Sequence, residues 1–393
     1  MTDSPQHKLA AAIQRVTSTA LGPYQSAIVR IGFSATWLLF LLREIPNRRE
    51  LYGPDGPWSW DMAQQLTADN HAFSALMVSD STLWFEGVYA VAVLSSALLL
   101  AGWRTRAMSV VFMIGVLSLQ NRSIFMGDGG DNVVHLMAVY LVFIRCGRVW
   151  SLDARRAARD KARDATGPVL WSVLGALLLA GTVMGSGTGA WWILPLLWGL
   201  WVSQGVWWAV ERRAPGSELR TLFDVLANLV HNATLVVIMA EVCLIYATAG
   251  WYKIQGSRWQ DGSALYYPLK LDYFTPWPAL SGLLASSGII VMLLTYGTVV
   301  VQVAFPFTLF NRKVKNVLLV AMMLEHAGIA VLLGLPFFSM AMIAADAVFL
   351  PTSFLKRVGG WATRTWGRFV DRPAEVPGQR GTPEEQPART LVG

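Results

Sequence analysis

Ten apolar runs, separated by short polar segments, constrain this sequence more than any other feature. Most of the runs hold about 17 to 25 residues, and at about 1.5 Å per residue such a helix crosses a hydrocarbon core of about 30 Å. The fourth and tenth runs are shorter. The sequence predicts an all-α fold, a polytopic transmembrane helical bundle of about ten spans. The predicted spans are Tyr24–Leu42, Leu83–Gly102, Ala107–Phe125, Asn132–Ile144, Pro168–Met184, Ala190–Val210, Phe223–Tyr252, Leu284–Leu309, Val317–Leu333 and Pro336–Leu350.

The composition supports this interpretation. Charged residues make up 15% of the 393 residues and hydrophobic residues 54%, whereas a soluble domain carries about 25% charged residues. The net charge of +7 comes from short basic segments between apolar runs, so no nucleic-acid partner is expected. Cys146 and Cys243 are the only cysteines, which leaves neither a disulfide framework nor a Cys-based zinc site.

The distribution of Lys and Arg predicts the orientation. One alternating set of segments contains most of the basic residues, and the positive-inside rule places that set in the cytoplasm. The prediction is a multi-pass protein of the cell membrane with both termini inside. The richer set includes Lys8, Arg15, Arg104, Arg106, the run 145–163, Arg212, Arg213, Arg220, Arg312, Lys313, Lys315 and the C-terminal tail, and the poorer set holds Arg43, Arg48, Arg49, Arg122, Lys253, Arg258 and Lys270.

Three regions follow from this pattern: a cytoplasmic N-terminal segment at 1–23, a transmembrane domain at 24–351 and a cytoplasmic tail at 352–393. Within the domain, residues 168–210 form a tryptophan-rich helix pair, which either spans the membrane or is a re-entrant hairpin. The tail from Asp371 onward is rich in Pro, Glu, Arg and Gly, which predicts disorder. Trp361–Val370, with basic residues between aromatic ones, has the pattern of an interfacial amphipathic helix.

Polar side chains inside spans are costly and therefore need a reason. Arg30 is expected to pair with one of the intramembrane carboxylates. Glu325, His326 and Asp346 predict either an intramembrane proton network or a structural hydrogen bond between helices. The inventory is Arg30, Glu86, His135, His231, Glu241, Glu325, His326 and Asp346.

A second group of polar residues falls on the predicted outer side. Asp131, Asn132 and His135 lie at the entry of the fourth span, and the seventh span brings Lys253 to the same side. Lys253 is either a general base, which a partly buried amine can become, or a lysine that reaches the interface by snorkelling. His135 is either a proton relay or a satisfied core histidine. Asp128 and Asp131 either cap the fourth helix or take part in catalysis.

Several of these residues lie in short motifs, which are Ile28-Val-Arg-Ile-Gly-Phe33, Leu119-Gln-Asn-Arg122, Gly129-Gly-Asp-Asn132, Trp150-Ser-Leu-Asp153, Ala249-Gly-Trp-Tyr-Lys253 with Trp259 and Gly262, and Ala344-Ala-Asp346. With these motifs the chain resembles the horizontally transferred transmembrane (HTTM) domain family, which includes the membrane part of vitamin K-dependent gamma-glutamyl carboxylase. The resemblance covers most of residues 24–351 except 168–210, which is interpreted as an inserted helix pair.

The resemblance implies a function for Lys253. In the carboxylase, the lysine of the corresponding Ala-Gly-x-x-Lys segment deprotonates reduced vitamin K. The carboxylase also uses an Asn-His pair near the start of the matching fourth span. In this chain Asn132 stands there, and the histidine is displaced to His135, three residues after Asn132. The catalytic candidates are Lys253, His135, Asp131 and Asn132, and the candidates for holding a reduced quinone are Trp259 and Tyr266; no metal site is expected.

Three functions remain open from the sequence. The first is a membrane enzyme that uses Lys253 as a base on a quinol-like or exported peptide substrate at the outer face. Full peptide gamma-carboxylation is not expected, because the carboxylase's long extramembrane region has no counterpart among the roughly forty residues after Leu350. The second is a non-catalytic component that matures or exports a secreted toxin peptide. The third is a proton-coupled transporter that uses Glu325, His326 and Asp346.

Overall fold

The computed structural model describes residues 5–123, 125, 127–158, 165–183 and 190–370. Across these ranges the regular elements are helices, with no strand, which confirms the all-α prediction. Short 3₁₀ turns connect several of them. The α-helices are α1 Pro5–Ser18, α2 Pro23–Glu44, α3 Arg48–Tyr52, α4 Trp60–Asp69, α5 Thr82–Ala101, α6 Thr105–Gln120, α7 Gly129–Phe143, α8 Leu152–Ala157, α9 Thr166–Val183, α10 Ile193–Arg213, α11 Glu218–Gln255, α12 Ser257–Gln260, α13 Pro278–Ala285, α14 Gly288–Ala304, α15 Arg312–Leu332, α16 Pro336–Asp346 and α17 Thr352–Val370.

Seven helices within the described ranges are long and apolar enough to cross a membrane. These are α2, α5, α9, α10, α11, α14 together with the 3₁₀ turn Phe305–Thr308 that continues it, and α15. An eighth span is added if Pro336–Phe349 and Thr352–Thr365 together make one broken span. The predicted spans at α6, α7 and α16 are helical but have only 16, 15 and 11 residues. The chain therefore has the helices of a multi-pass membrane protein.

The helices differ from the predicted spans by up to five residues at either end, and two of these differences have a local cause. The third span ends at Gln120 rather than Phe125, because Asn121 turns away and donates its side-chain amide to the carbonyl of Phe73 at 2.8 Å. The eighth begins at Gly288 rather than Leu284. There the Ser287 hydroxyl accepts a hydrogen bond from the N–H of Ile290 and so caps α14, as serine commonly does at a helix N-terminus.

The chain divides into two compact units, residues 1–352 and 353–393. In the first unit, α2 packs against α5, α7 and α16, and α11 packs against α1, α7 and α14. Gly32 makes the α2–α16 approach possible, because a Cβ atom at this position would lie 2.4 Å from the Cβ of Ala344. The hydrophobic core includes Phe33, Trp37 and Phe112.

The tryptophan-rich pair forms an antiparallel hairpin of α9 and α10. The Trp171 and Trp201 rings stack with centroids 4.0 Å apart. Each indole N–H donates to the other residue's carbonyl, at 3.0 and 2.9 Å. Both helices meet the length and apolarity of a span, which favours the spanning alternative over the re-entrant one. The predicted uncharged link at 185–189 lies outside the described residues.

The second unit contains α17 apart from its first residue. This helix includes the predicted interfacial segment Trp361–Val370 and begins nine residues earlier, at Thr352. The predicted disorder from Asp371 onward concerns residues outside the described part of the chain.

Candidate functional site

Lys253 lies two residues before the C-terminal end of α11. Its Nζ donates a hydrogen bond to Oε1 of Gln302 on α14, with an N–O distance of 2.7 Å. Nζ also lies 5.3 Å from the centroid of the Trp259 ring, within the range of a cation–π interaction. Lys253 is half-buried. A snorkelling lysine needs only water or lipid headgroups around its charge, whereas this one has two protein partners.

Gln302 connects Lys253 to a carboxylate. Its amide Nε2 donates to Oε1 of Glu325 on α15 at 2.6 Å, and Gln302 is 5% exposed. The amide oxygen of Gln302 accepts from Lys253, and its amide nitrogen donates to Glu325. Lys253 is therefore the donor at one end of this chain of bonds and Glu325 the acceptor at the other. Three helices therefore contribute to one chain of charge-assisted hydrogen bonds.

Gly250 explains why this chain of bonds can form. A Cβ atom at Gly250 would lie 2.6 Å from Cγ2 of Val303, so α11 and α14 approach each other more closely there than an alanine would allow. Gly250 and Lys253 are three residues apart on α11, and Val303 follows Gln302 on α14. Residues three apart on a helix share a face, and the contact therefore brings Lys253 to Gln302.

A second hydrogen-bonded group lies about two turns earlier along α11. The Tyr246 hydroxyl lies 3.0 Å from Nε2 of His326 and donates to Oδ2 of Asp346 at 3.1 Å. The exposed fractions of the three residues are 1%, 2% and 0%. With the hydroxyl proton on the Asp346 side, the imidazole Nε2–H donates to the tyrosine oxygen. Nδ1 of His326 and Oδ1 of Asp346 have no hydrogen-bond partner among the described residues.

These two groups adjoin each other in the chain, because Glu325 and His326 are consecutive and Tyr246 precedes Lys253 by two helical turns. We call the six residues Tyr246, Lys253, Gln302, Glu325, His326 and Asp346 the polar network. Carboxyl, imidazole, phenol and amine groups can all exchange protons. The network is therefore chemically equipped for acid–base work inside an apolar bundle.

The predicted residues at the start of the fourth span have other partners. Oδ1 of Asp128 accepts the N–H groups of Gly130 and Asp131, and Oδ2 of Asp131 accepts the N–H of Asp128. This is a capping box, which satisfies free N–H groups at a helix start. Both carboxylates therefore cap α7, which is one of the two roles that the sequence left open. Nδ1 of His135 lies 3.1 Å from Oε1 of Gln120, and Gln120 donates to the carbonyl of Asp131 at 3.0 Å. Asn132 lies in the first turn of α7.

Among the described residues, Lys253 therefore belongs to one set of hydrogen bonds and Asp131 and His135 belong to another. Phe338 lies between the two regions: its ring centroid is 5.6 Å from that of His326, and it lines a cavity of about 200 Å³ at the start of α7. Arg43, Asp128 and Asp131 also line this cavity. Joint catalysis by the four predicted residues stays a prediction.

The two candidates for holding a quinone lie in the segment after α11. Trp259 is on α12 and faces Lys253. Tyr266 is in the turn Ala264–Tyr266, is 43% exposed, and packs its ring edge-on against Tyr267. Asp261 orders this segment by accepting the Ser263 N–H at 2.9 Å. Hydrogen bonds from Ser263 hold the pKa of Asp261 below its ordinary value.

The prediction for Arg30 is wrong. Its guanidinium group donates to the main-chain carbonyls of Leu99, Leu100 and Trp150, the last two at 2.8 and 2.6 Å, rather than to an intramembrane carboxylate. Leu99 and Leu100 are at the end of α5, where helix carbonyls lack partners and the dipole favours a cation. The buried arginine therefore bonds to main-chain carbonyls, and a search of the sequence for oppositely charged side chains does not find such partners.

Other polar residues of the inventory also have structural partners. His231 accepts the N–H of Arg145 at 2.9 Å and lies 2.7 Å from the carbonyl of Leu21. Glu86 pairs with Arg48 at 2.8 Å and Arg49 at 2.7 Å. In the described part of the chain, no group of three or more His, Cys, Asp or Glu residues is positioned to hold a metal ion.

Two members of the network were missed in the sequence. Gln302 is an uncharged residue in an apolar run, and Tyr246 resembles an ordinary core aromatic. A polar amide in the middle of a span is itself a signal, since it requires a partner in hydrocarbon. Comparisons with models of known protein families, with curated proteins and with solved structures find no match for this chain.

Proposed function

We propose that this chain is a membrane enzyme of the HTTM type, in which Lys253 is the general base for a quinol-like substrate that enters at the outer face. In this proposal the protein lies in a bacterial inner membrane with ten spans and both termini in the cytoplasm. Support for ten spans comes from the helix that lies in the described part of each predicted span and from the Lys/Arg alternation.

The observation that carries the proposal is the hydrogen-bond chain from Lys253 through Gln302 to Glu325. When the amine takes the hydroxyl proton of a quinol, it becomes an ammonium ion. The amide oxygen of Gln302, the Trp259 face and the carboxylate behind Gln302 all stabilise that positive charge. These partners are positioned before the reaction, which is the property that makes electrostatic stabilisation effective in catalysis.

The overall reaction is the oxidation of the quinol by dioxygen. The quinolate formed by Lys253 loses two electrons to dioxygen, so that quinol and dioxygen give quinone and hydrogen peroxide. Deprotonation is the step that the protein accelerates, because the anion is the oxidisable form.

The test uses the full chain in lipid nanodiscs with 2-methyl-1,4-naphthohydroquinone under air. Quinone absorbance and oxygen uptake report turnover. Quinol oxidation should be faster with the wild-type protein than in protein-free discs. Lys253→Arg holds its proton at any working pH, so its rate should be about a hundredfold lower, within the usual range for loss of a general base. Lys270→Arg is the matched control, because Lys270 is an exposed lysine in the same outer segment. Equal rates in wild type and Lys253→Arg would end the proposal.

A second candidate, proton-coupled transport, is favoured by the Tyr246, His326 and Asp346 group, because its two unpartnered buried atoms resemble the ends of a proton relay. In proteoliposomes loaded with a pH-sensitive dye, a transporter should carry protons in wild type and lose that flux in Asp346→Asn. Proton flux that persists in Asp346→Asn would exclude this group as the path. A non-catalytic peptide-maturation component should keep its function in Lys253→Arg.

A further inference from the structure

The last described helix, α17, has two chemically different faces. At about 100° per residue, Phe354 and Val358 lie about 40° apart on one side of the helix. Lys356, Arg357 and Arg364 occupy an arc from about 200° to about 300° around the axis from Phe354, and Trp361 lies at the border between the apolar side and this basic arc. Phe354, Val358 and Trp361 remain 49%, 41% and 64% exposed. An exposed apolar stripe opposite a basic one is the pattern of a helix that lies in a membrane surface.

The charges of α17 are all of one sign. Its 19 residues contain four Lys or Arg and no Asp or Glu. So many charges disfavour a position across the hydrocarbon core. They favour the cytoplasmic surface, where anionic lipids give a negative potential that attracts basic segments. Long basic side chains can reach the headgroups while the opposite face stays among the acyl chains.

We propose that α17 is a membrane-surface helix that binds anionic phospholipid headgroups through Arg357 and Arg364, with Phe354, Val358 and Trp361 inserted at the acyl boundary. The surface position of α17 follows from its own charge pattern and is independent of any role for Lys253. Its consequence is that the lipid composition of the cytoplasmic leaflet controls the position of this helix.

The experiment compares two labelled positions in the full chain. Val358→Cys lies on the apolar face and Gly360→Cys on the basic face, and each carries an environment-sensitive NBD fluorophore. Cys243→Ala removes one native thiol, and Cys146 is 1% exposed and protected from labelling. The protein is placed in nanodiscs of phosphatidylcholine alone or with about one-third phosphatidylglycerol, a level that gives the bilayer a strong negative surface potential.

The Val358 label should become brighter and blue-shifted in the anionic discs, and the Gly360 label should change much less. In Arg357→Gln/Arg364→Gln the ratio of docked to undocked helix should fall about thirtyfold, given the usual contribution of two basic residues near an anionic surface. Arg357→Lys/Arg364→Lys keeps the charge and should keep the response. Arg213→Gln/Lys313→Gln removes two charges elsewhere and should also keep it.

Four outcomes would overturn the proposal. Equal insertion of both labels would indicate a helix across the membrane. A Val358 signal that ignores phosphatidylglycerol, or that persists in the double glutamine variant, would exclude headgroup binding by these arginines. A signal that depends on the number of chains per disc would assign the apolar face to a second copy of the protein.

Discussion

Two of the regions that bury charged groups satisfy those groups in different ways. In the first, which we call the Arg30 junction, Arg30 donates to the carbonyls of Leu99, Leu100 and Trp150, and Asp153 accepts main-chain N–H groups nearby. In the polar network, side chains bond to side chains, and two buried atoms have no partner among the described residues.

The difference separates structure from chemistry. Main-chain carbonyls and N–H groups cannot gain or lose protons, so a charge bonded to them holds helix ends together and does little else. Groups bonded to other titratable side chains can pass a proton without loss of the fold. Spare hydrogen-bonding atoms in a native structure call for an explanation, of which a catalytic role is one.

The largest effect is expected at Arg30. Arg30→Met should lower the free energy of unfolding by about 3–5 kcal/mol, because it removes the donor of the Leu100 and Trp150 carbonyls and three hydrogen bonds of a fully buried guanidinium group. The measurement is the stability of the purified protein in detergent against a denaturant. Arg15→Met, at an exposed position, is the control and should be nearly neutral. A small loss at Arg30 would mean that the junction is not a structural clamp.

The next effect concerns the hydroxyl of Tyr246. Tyr246→Phe should cost about 1–3 kcal/mol, because it removes the shared partner of His326 and Asp346 while the ring remains. The same unfolding assay measures this loss, and Tyr140→Phe, a phenol of α7 that is only partly buried, serves as the control. Should Tyr246→Phe prove neutral in stability yet reduce quinol oxidation, the network would be functional rather than structural.

A smaller effect is expected at the cap of α6. Asp153 accepts the N–H of Arg104 at 2.9 Å, the N–H of Thr105 at 2.7 Å and the Thr105 hydroxyl at 2.9 Å. Asp153→Ala should cost about 1–2 kcal/mol, as the loss of an N-terminal cap does. Asp153→Asn retains acceptor capacity and should recover part of this stability. Rates of quinol oxidation per folded molecule should be unchanged in both variants.

The smallest effect is a pH dependence at Cys146, in the connection after α7. Burial raises the pKa of the Cys146 thiol to about 11, whereas an unfolded thiol ionises at about 8.5. The neutral thiol therefore contributes stability that is fully present below pH of about 8.5 and is lost as the pH rises toward 11. In Cys146→Ala, the denaturant midpoint of unfolding should therefore decline less steeply between pH of about 8.5 and about 11 than in wild type. An unchanged slope would assign the decline to other groups.

The polar network was only partly predictable from sequence. Lys253, Glu325, His326 and Asp346 were found because an ionisable residue in an apolar run is unusual. The link through Gln302 was not found, since it depends on the close contact of Gly250 with Val303 across two helices. Arg30 was assigned to the wrong kind of partner, because a sequence pattern shows carboxylates but not which helix carbonyls end beside an arginine.

The sequence by itself determined the helical class, the places of the helices and the existence of buried charges, because hydrophobicity and helix length are local properties. The tertiary structure alone decided which charges meet side chains and which meet main-chain groups. That choice depends on how helices pack, to within an ångström, at positions such as Gly32 and Gly250. A shift of about one ångström is enough to break a hydrogen bond, so the pattern of residues along the chain cannot specify which hydrogen bonds form.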